Sequence, residues 1–112
     1  MDKLANYQNL IIKLLEKHAK LARPAQGGFE PHTIFDKEKN RYMLFHVGWR
    51  DQKRISIPTL YVHLSNNKIW IEEDWTEDGL AMELLNENVP REDIVLGFRH
   101  PTIRPHTEFA IA

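Results

Sequence analysis

The last twenty residues, Asp93 to Ala112, gather Arg99, His100, Arg104 and His106 around Pro101 and Pro105. Guanidinium groups are planar, permanently charged forks suited to carboxylates and phosphates, and imidazoles exchange protons near neutral pH. A segment equipped in this way could be an active site, a nucleic-acid strap or an interface. Acid–base catalysis would need a positioned partner, and neither Ser56 nor Ser65 sits in a nucleophile-elbow motif. An interface fits better. Prolines lower the cost of ordering the chain, Arg99, His100 and Arg104 offer donors, and Phe109 anchors the tail. The plainer alternative is a tail that seals the core.

A second group is basic. Arg41, Arg50, Lys53 and Arg54 lie on one expected hairpin with Tyr42 and Trp49, so they could contact phosphates and stack on bases. Against this stand a net charge of −1 and the lack of a helix-turn-helix or other reader motif. Asp51-Gln52-Lys53, with Asp36 upstream, spells the carboxylate and lysine set of metal-dependent nucleases, in which acids hold the ion and lysine stabilises charge on phosphate. Turn chemistry explains the same triplet. The acidic run Glu72, Glu73, Asp74, Glu77 and Asp78 lacks the alternating ligands and glycine of a calcium loop, and it suits a strand-to-helix junction. Six histidines form no i, i+4 zinc pair. No catalytic residues, metal or cofactor are expected.

These groups need a scaffold, and at 112 residues the chain can build one domain, 1–112, around one core. A composition of 42% hydrophobic and 28% charged residues belongs to a folded protein rather than a disordered one. Without cysteine there is no disulfide framework or thiolate zinc site. Met1-Asp2-Lys3-Leu4 lacks the pattern of a signal peptide, and no stretch reaches the ~20 apolar residues of a membrane span. A cytoplasmic, non-membrane location is therefore expected. Residues 1–56 carry 11 Lys and Arg against 6 Asp and Glu, whereas residues 57–112 carry 4 against 10. That polarity means a basic face, complementary surfaces between chains, or halves that intermingle on folding.

From Leu4 to Ala22, the positions Tyr7, Leu10, Ile11, Leu14, Leu15, His18 and Leu21 recur at helical spacing, with Asp2 as N-cap. His18 is expected to be satisfied near the core, because no second ligand stands three or four residues away. Arg23-Pro24 and Gly27-Gly28 should stop this helix. Strands are predicted over Phe29–Phe35, Arg41–Arg50, Lys53–Leu64 and Lys68–Glu73, joined by polar breaks too short for parallel crossovers. In the third strand Ile55 and Ile57 share one parity and Leu60, Val62 and Leu64 the other, so a bulge is expected near Pro58. Asp74 or Thr76 caps a second helix reaching about Asn86. Pro90 opens a short turn, Ile94, Val95 and Leu96 enter the core, and Glu108–Ile111 alternates as a short final strand. The expected fold is α+β: an N-terminal helix, an antiparallel meander of about four strands, a second helix and a short C-terminal strand.

The run Val89-Pro90-Arg91-Glu92-Asp93-Ile94-Val95-Leu96-Gly97-Phe98, continuing through Arg104-Pro105 to Thr107-Glu108-Phe109-Ala110, resembles the C-terminal signature of the XisI family, controlling factors for fdxN element excision in cyanobacteria. Phe35-Asp36, Val47-Gly48-Trp49, Lys68-Ile69-Trp70-Ile71 and Thr76-Glu77-Asp78-Gly79 extend the resemblance over most of the chain. The chain departs from the family pattern at Tyr61 and His63, where relatives often carry a histidine and an aspartate. The resemblance implies a small accessory protein acting with a site-specific recombinase and a companion factor, XisH. It supplies no catalytic residues. It leaves direct DNA contact and a homodimer as further expectations, the latter because Trp49, Trp70 and Trp75 would be covered by a second chain.

Overall fold

Helix α1 (Lys3–Leu21) begins where the sequence places its cap: the Asp2 side chain accepts the Leu4 N–H at 3.1 Å. The computed structural model describes residues 2–21 and 29–112. The Arg23-Pro24 and Gly27-Gly28 stop signals therefore lie outside the described residues. The helix buries Tyr7, Ile11, Leu14 and Leu15, with Leu4, Leu10 and Ile12 packed beside them. Leu21 departs from the expected stripe and is 65% exposed, because the last turn runs past the edge of the core.

Strands β1 (Glu30–Asp36), β2 (Arg41–Arg50), β3 (Lys53–Ser65) and β4 (Lys68–Asp74) form the expected antiparallel meander. Left-handed residues make its turns: Asn66 and Asn67 both have positive φ between β3 and β4, Asp51 does between β2 and β3, and Asn40 closes the β1–β2 connection. The change of parity near Pro58 is real. Leu44 pairs with Leu60 but Phe45 pairs with Pro58, which leaves Thr59 as the extra residue of a bulge. A second bulge at Glu72 lies between the pairs Tyr61–Glu73 and Val62–Ile71.

Helix α2 (Leu80–Asn86) starts later than the sequence suggests, because Thr76 is not its cap. The Asp74 carboxylate instead reaches across six residues to accept the Leu80 N–H at 2.6 Å and also accepts the Thr76 N–H at 2.9 Å. After a short turn at Arg91–Asp93, Ile94–Leu96 forms β5, hydrogen-bonded in parallel to β4. This is the short C-terminal strand of the sheet, and it comes earlier than Glu108–Ile111. That later segment contributes one bridge, Ala110 beside Val95. A parallel neighbour was legible only as a core segment, since its partner is set by the crossover through α2.

The sheet order β1-β2-β3-β4-β5 places both helices on one face. There Tyr42, Leu44, Leu60, Val62, Ile69 and Ile71 meet the apolar side of α1, with Leu80 and Leu84 of α2 alongside. Beyond β4 the β2–β3 hairpin continues as an arm, since residues 53–58 of β3 pair only with β2. The described residues accordingly have a radius of gyration of 14.7 Å, above the roughly 13 Å that a compact chain of this length would show.

Candidate functional site

The C-terminal segment is built around Gly97 and Arg104. A β-carbon on Gly97 would lie 2.7 Å from the Glu72 carboxylate, so any other residue here would make the end of the Glu72 side chain move aside. The chain then turns back over the edge of the sheet. The Arg104 guanidinium donates to the carbonyls of Arg99 at 3.0 Å, Gly97 at 3.3 Å and Ile111 at 3.4 Å, and its plane lies 5.3 Å from the Trp70 ring. Phe109 packs against the core, and Ala110 donates to the Ile94 carbonyl at 2.9 Å. Arg91 and Glu108 close the strap from outside at 2.9 Å.

Of the four residues proposed for an interface, Arg104 and Phe109 therefore face inward and hold the strap. Arg99 and His100 face outward. The Arg99 guanidinium rests 5.2 Å from the Phe98 ring, and His100 bonds the Thr102 hydroxyl at 2.9 Å. Phe98 and Ile103 are exposed beside them. Trp70, expected at the surface, is instead half-buried between His63 and Arg104. Its indole N–H is buried and has no hydrogen-bond partner.

The proposed nucleic-acid contacts divide. Arg50, Lys53 and Arg54 share the tip of the arm, where the Arg54 guanidinium covers the Trp49 ring at 5.1 Å. Arg41 lies at the other end of β2, paired with His63, about 30 Å away at strand rise. The same distance separates Asp36, paired with Arg41, from Asp51 at the tip. The carboxylates and lysine of the nuclease pattern are thus not brought together.

Two ionic groups fasten the helices. Buried Asp93 accepts from the Tyr7 hydroxyl at 2.5 Å and from Lys3 at 2.7 Å. Burial alone would raise the Asp93 carboxyl, but these hydrogen bonds outweigh it and hold it below its ordinary value. The same burial, with the carboxylate nearby, pushes the Tyr7 phenol up. On α2, burial likewise works against ionised Glu83, and hydrogen bonds from Lys17 and His18 prevail to lower it. His18, 2.6 Å from Glu83, is the satisfied histidine that its place on the stripe implied. His46, beside the bulge, is lowered by burial. Among the described residues no three His, Asp or Glu side chains converge to hold a metal ion.

In β2 Met43, Phe45, Val47 and Trp49 alternate with Tyr42, Leu44 and His46, so the sequence implies a second apolar face that needs a cover besides the one on the helix, and the structure places that face opposite the helices. Side chains directly paired across strands share a face, so His32 and Phe45, then Ile34, Met43 and Tyr61, and then Arg41, His63 and Trp70 lie on one face in three successive rows. His32 stacks on Phe45 and His63 on Trp70. His63 also meets Glu72 at 2.7 Å.

The chain matches the family model described as XisI protein over residues 1–111. It is similar to the fdxN element excision controlling factor XisI from Anabaena variabilis, with 38% identity, 99% of this chain and 100% of that one covered, and a TM-score of 0.88. It is also similar to a XisI-like protein from the same organism, with 37% identity, 97% and 99% coverage and a TM-score of 0.89. No curated protein matches.

Proposed function

The chain belongs to the XisI family, and from that premise we propose that it is a controlling factor for excision of a DNA element. In this reading it is a non-enzymatic accessory protein that acts through contacts with a recombination complex, including a companion XisH-like protein. The observation that carries the reading is the whole-chain likeness to the XisI controlling factor, at 38% identity and a TM-score of 0.88. The site geometry supports a contact role. Asp93, Glu83 and Arg104 are committed to internal partners, whereas Arg99, His100, Phe98 and Ile103 form an outward patch. Such a patch, with an arginine beside aromatic and aliphatic groups, has the composition of an interface centre.

The test is fluorescence anisotropy of labelled duplex DNA with the purified protein at two salt concentrations, alone and with the XisH-like companion. Binding of the DNA only when the companion is present, lost in Arg99→Glu without unfolding, is the expected result. Magnesium-dependent cleavage of DNA by the chain alone would overturn it. A second reading, direct DNA binding, draws on the basic arm tip with Arg50, Lys53 and Arg54. It requires binding by the chain alone that falls steeply with salt and weakens in the Arg50→Gln, Arg54→Gln double variant.

A further inference from the structure

We propose that the tip of the β2–β3 arm enters the major groove of B-form DNA end-on, with cations from its two faces on the two phosphate walls and Gln52 at the base edges of the floor. The inference rests on the reading in which the arm tip binds DNA directly. It deepens that reading by naming the groove, the mode of entry and the residue that sets sequence preference.

The pairing of β1 with β2 ends at Val47. Beyond that row the arm is a two-stranded ribbon of the pairs Gly48–Ile55, Trp49–Arg54 and Arg50–Lys53, closed by Asp51 and Gln52. Its root is braced by the Phe29 ring, which lies against Gly48 where a β-carbon would stand 2.7 Å from it. Every residue from Trp49 to Arg54 is exposed. Paired side chains share a face, so Trp49 and Arg54 occupy one side of the ribbon, with the guanidinium 5.1 Å from the indole ring, and Arg50 and Lys53 occupy the other. Among the described residues none of these cations has an ion-pair partner. Asp51 is the one carboxylate of the tip, whereas Glu30 pairs with Val47 at the root and Glu77 lines the cleft beside His46 farther back.

The dimensions select the groove. Pairs at ~3.4 Å rise project about 10 Å past the sheet, and side chains on both faces make a ribbon about 10 Å thick. The major groove of B-DNA, about 12 Å wide and about 8.5 Å deep, admits such a ribbon, whereas a minor groove about 6 Å wide does not. The major groove of duplex RNA is too narrow as well. Charge selects the approach. End-on entry turns Arg54 toward one phosphate backbone and Arg50 with Lys53 toward the other, and it leaves Glu30 outside, about 10 Å behind the tip. DNA laid flat on the open face of the sheet would instead run past Glu30 and Glu73. A protein partner with a single acidic patch would meet the cations of one face only, so the two-walled groove is the partner that uses both. At the floor, the Gln52 amide offers one donor and one acceptor, which match N7 and the N6 amino group of adenine, and Asp51 can accept from the N4 amino group of cytosine.

So few phosphate contacts make binding by the chain alone weak, and an NMR titration of the full chain with a mixed-sequence DNA duplex at low salt registers weak binding. The expected result is chemical-shift change centred on Trp49 to Arg54, including the Trp49 indole N–H. Methyl green, which fills the major groove, should reverse it, and netropsin, which fills the minor groove, should not. An approximately threefold rise in salt should weaken binding by about tenfold or more. In selection from a randomised duplex pool, Gln52→Ala should hold bulk duplex within about twofold of the wild type yet lose a preference of about tenfold at one base pair. The same selected sequences for the wild type and Gln52→Ala, reversal by netropsin instead of methyl green, or equal binding of an RNA duplex would each overturn this inference while direct DNA binding stands. No shift with any duplex would overturn both.

Discussion

Asp93 shows how one buried charge can hold a helix to the far end of a chain. Its carboxylate joins Tyr7 and Lys3 of α1 to the turn before β5. Replacing it with alanine leaves a buried phenol without its acceptor, so Asp93→Ala should cost about 2 to 3 kcal/mol in urea denaturation, and Tyr7→Phe about 1 kcal/mol. The pH dependence has a definite sign. Because the folded carboxyl lies below its ordinary value of 3.8, its stabilisation is complete above that value and is lost as pH falls through the depressed one. Glu83 adds an effect of the same sign below its ordinary 4.5. His46, also lowered, resists protonation when folded, so stability should begin to fall as pH drops below its ordinary 6.5. Urea midpoints measured from about pH 8 down to about pH 2 should therefore decline in two stages, and His46→Gln should remove the earlier one.

At the scale of elements, the strap and α2 depend on single side chains distant in sequence. Arg104 satisfies three carbonyls at once, so Arg104→Ala should free the strap and raise amide exchange at Ala110 and Phe98 before the sheet opens, at a cost of about 2 kcal/mol. Gly97→Ala should cost less in the same exchange measurement, because its β-carbon would meet only the far end of the Glu72 side chain, which can swing aside. Asp74 caps α2 across a loop, and Asp74→Ala should lower stability by about 1 kcal/mol in thermal unfolding. The meander was legible because its turns carry Asn and Asp where left-handed backbone is needed. The bulge was legible because apolar parity changes at Pro58. The cap at Asp74 was only half legible, since its carboxylate was expected to cap locally and instead closes a longer loop.

For the whole molecule, the decisive feature is a sheet with helices on one side, an arm beyond its body and aromatic groups on its open side. Residues that looked like one basic cluster are separated by the length of β2, and residues that looked like an interface are divided between an internal clamp and an outward patch. If the arm tip meets DNA, affinity should fall by about tenfold or more for a few-fold rise in salt, in proportion to the phosphates contacted. Titration at several salt concentrations would read that slope, and Arg41→Gln should leave it unchanged because Arg41 is remote from the tip.

The helix, the meander, the bulge, the satisfied His18 and the family were all readable along the chain, because periodicity, turn chemistry and ordered motifs are local properties. Folding in three dimensions was needed to set β5 parallel to β4, to turn Arg104 inward and to cover Trp70. These outcomes depend on which distant segments meet, and many pairings satisfy the same local pattern until packing and buried hydrogen bonds select one of them.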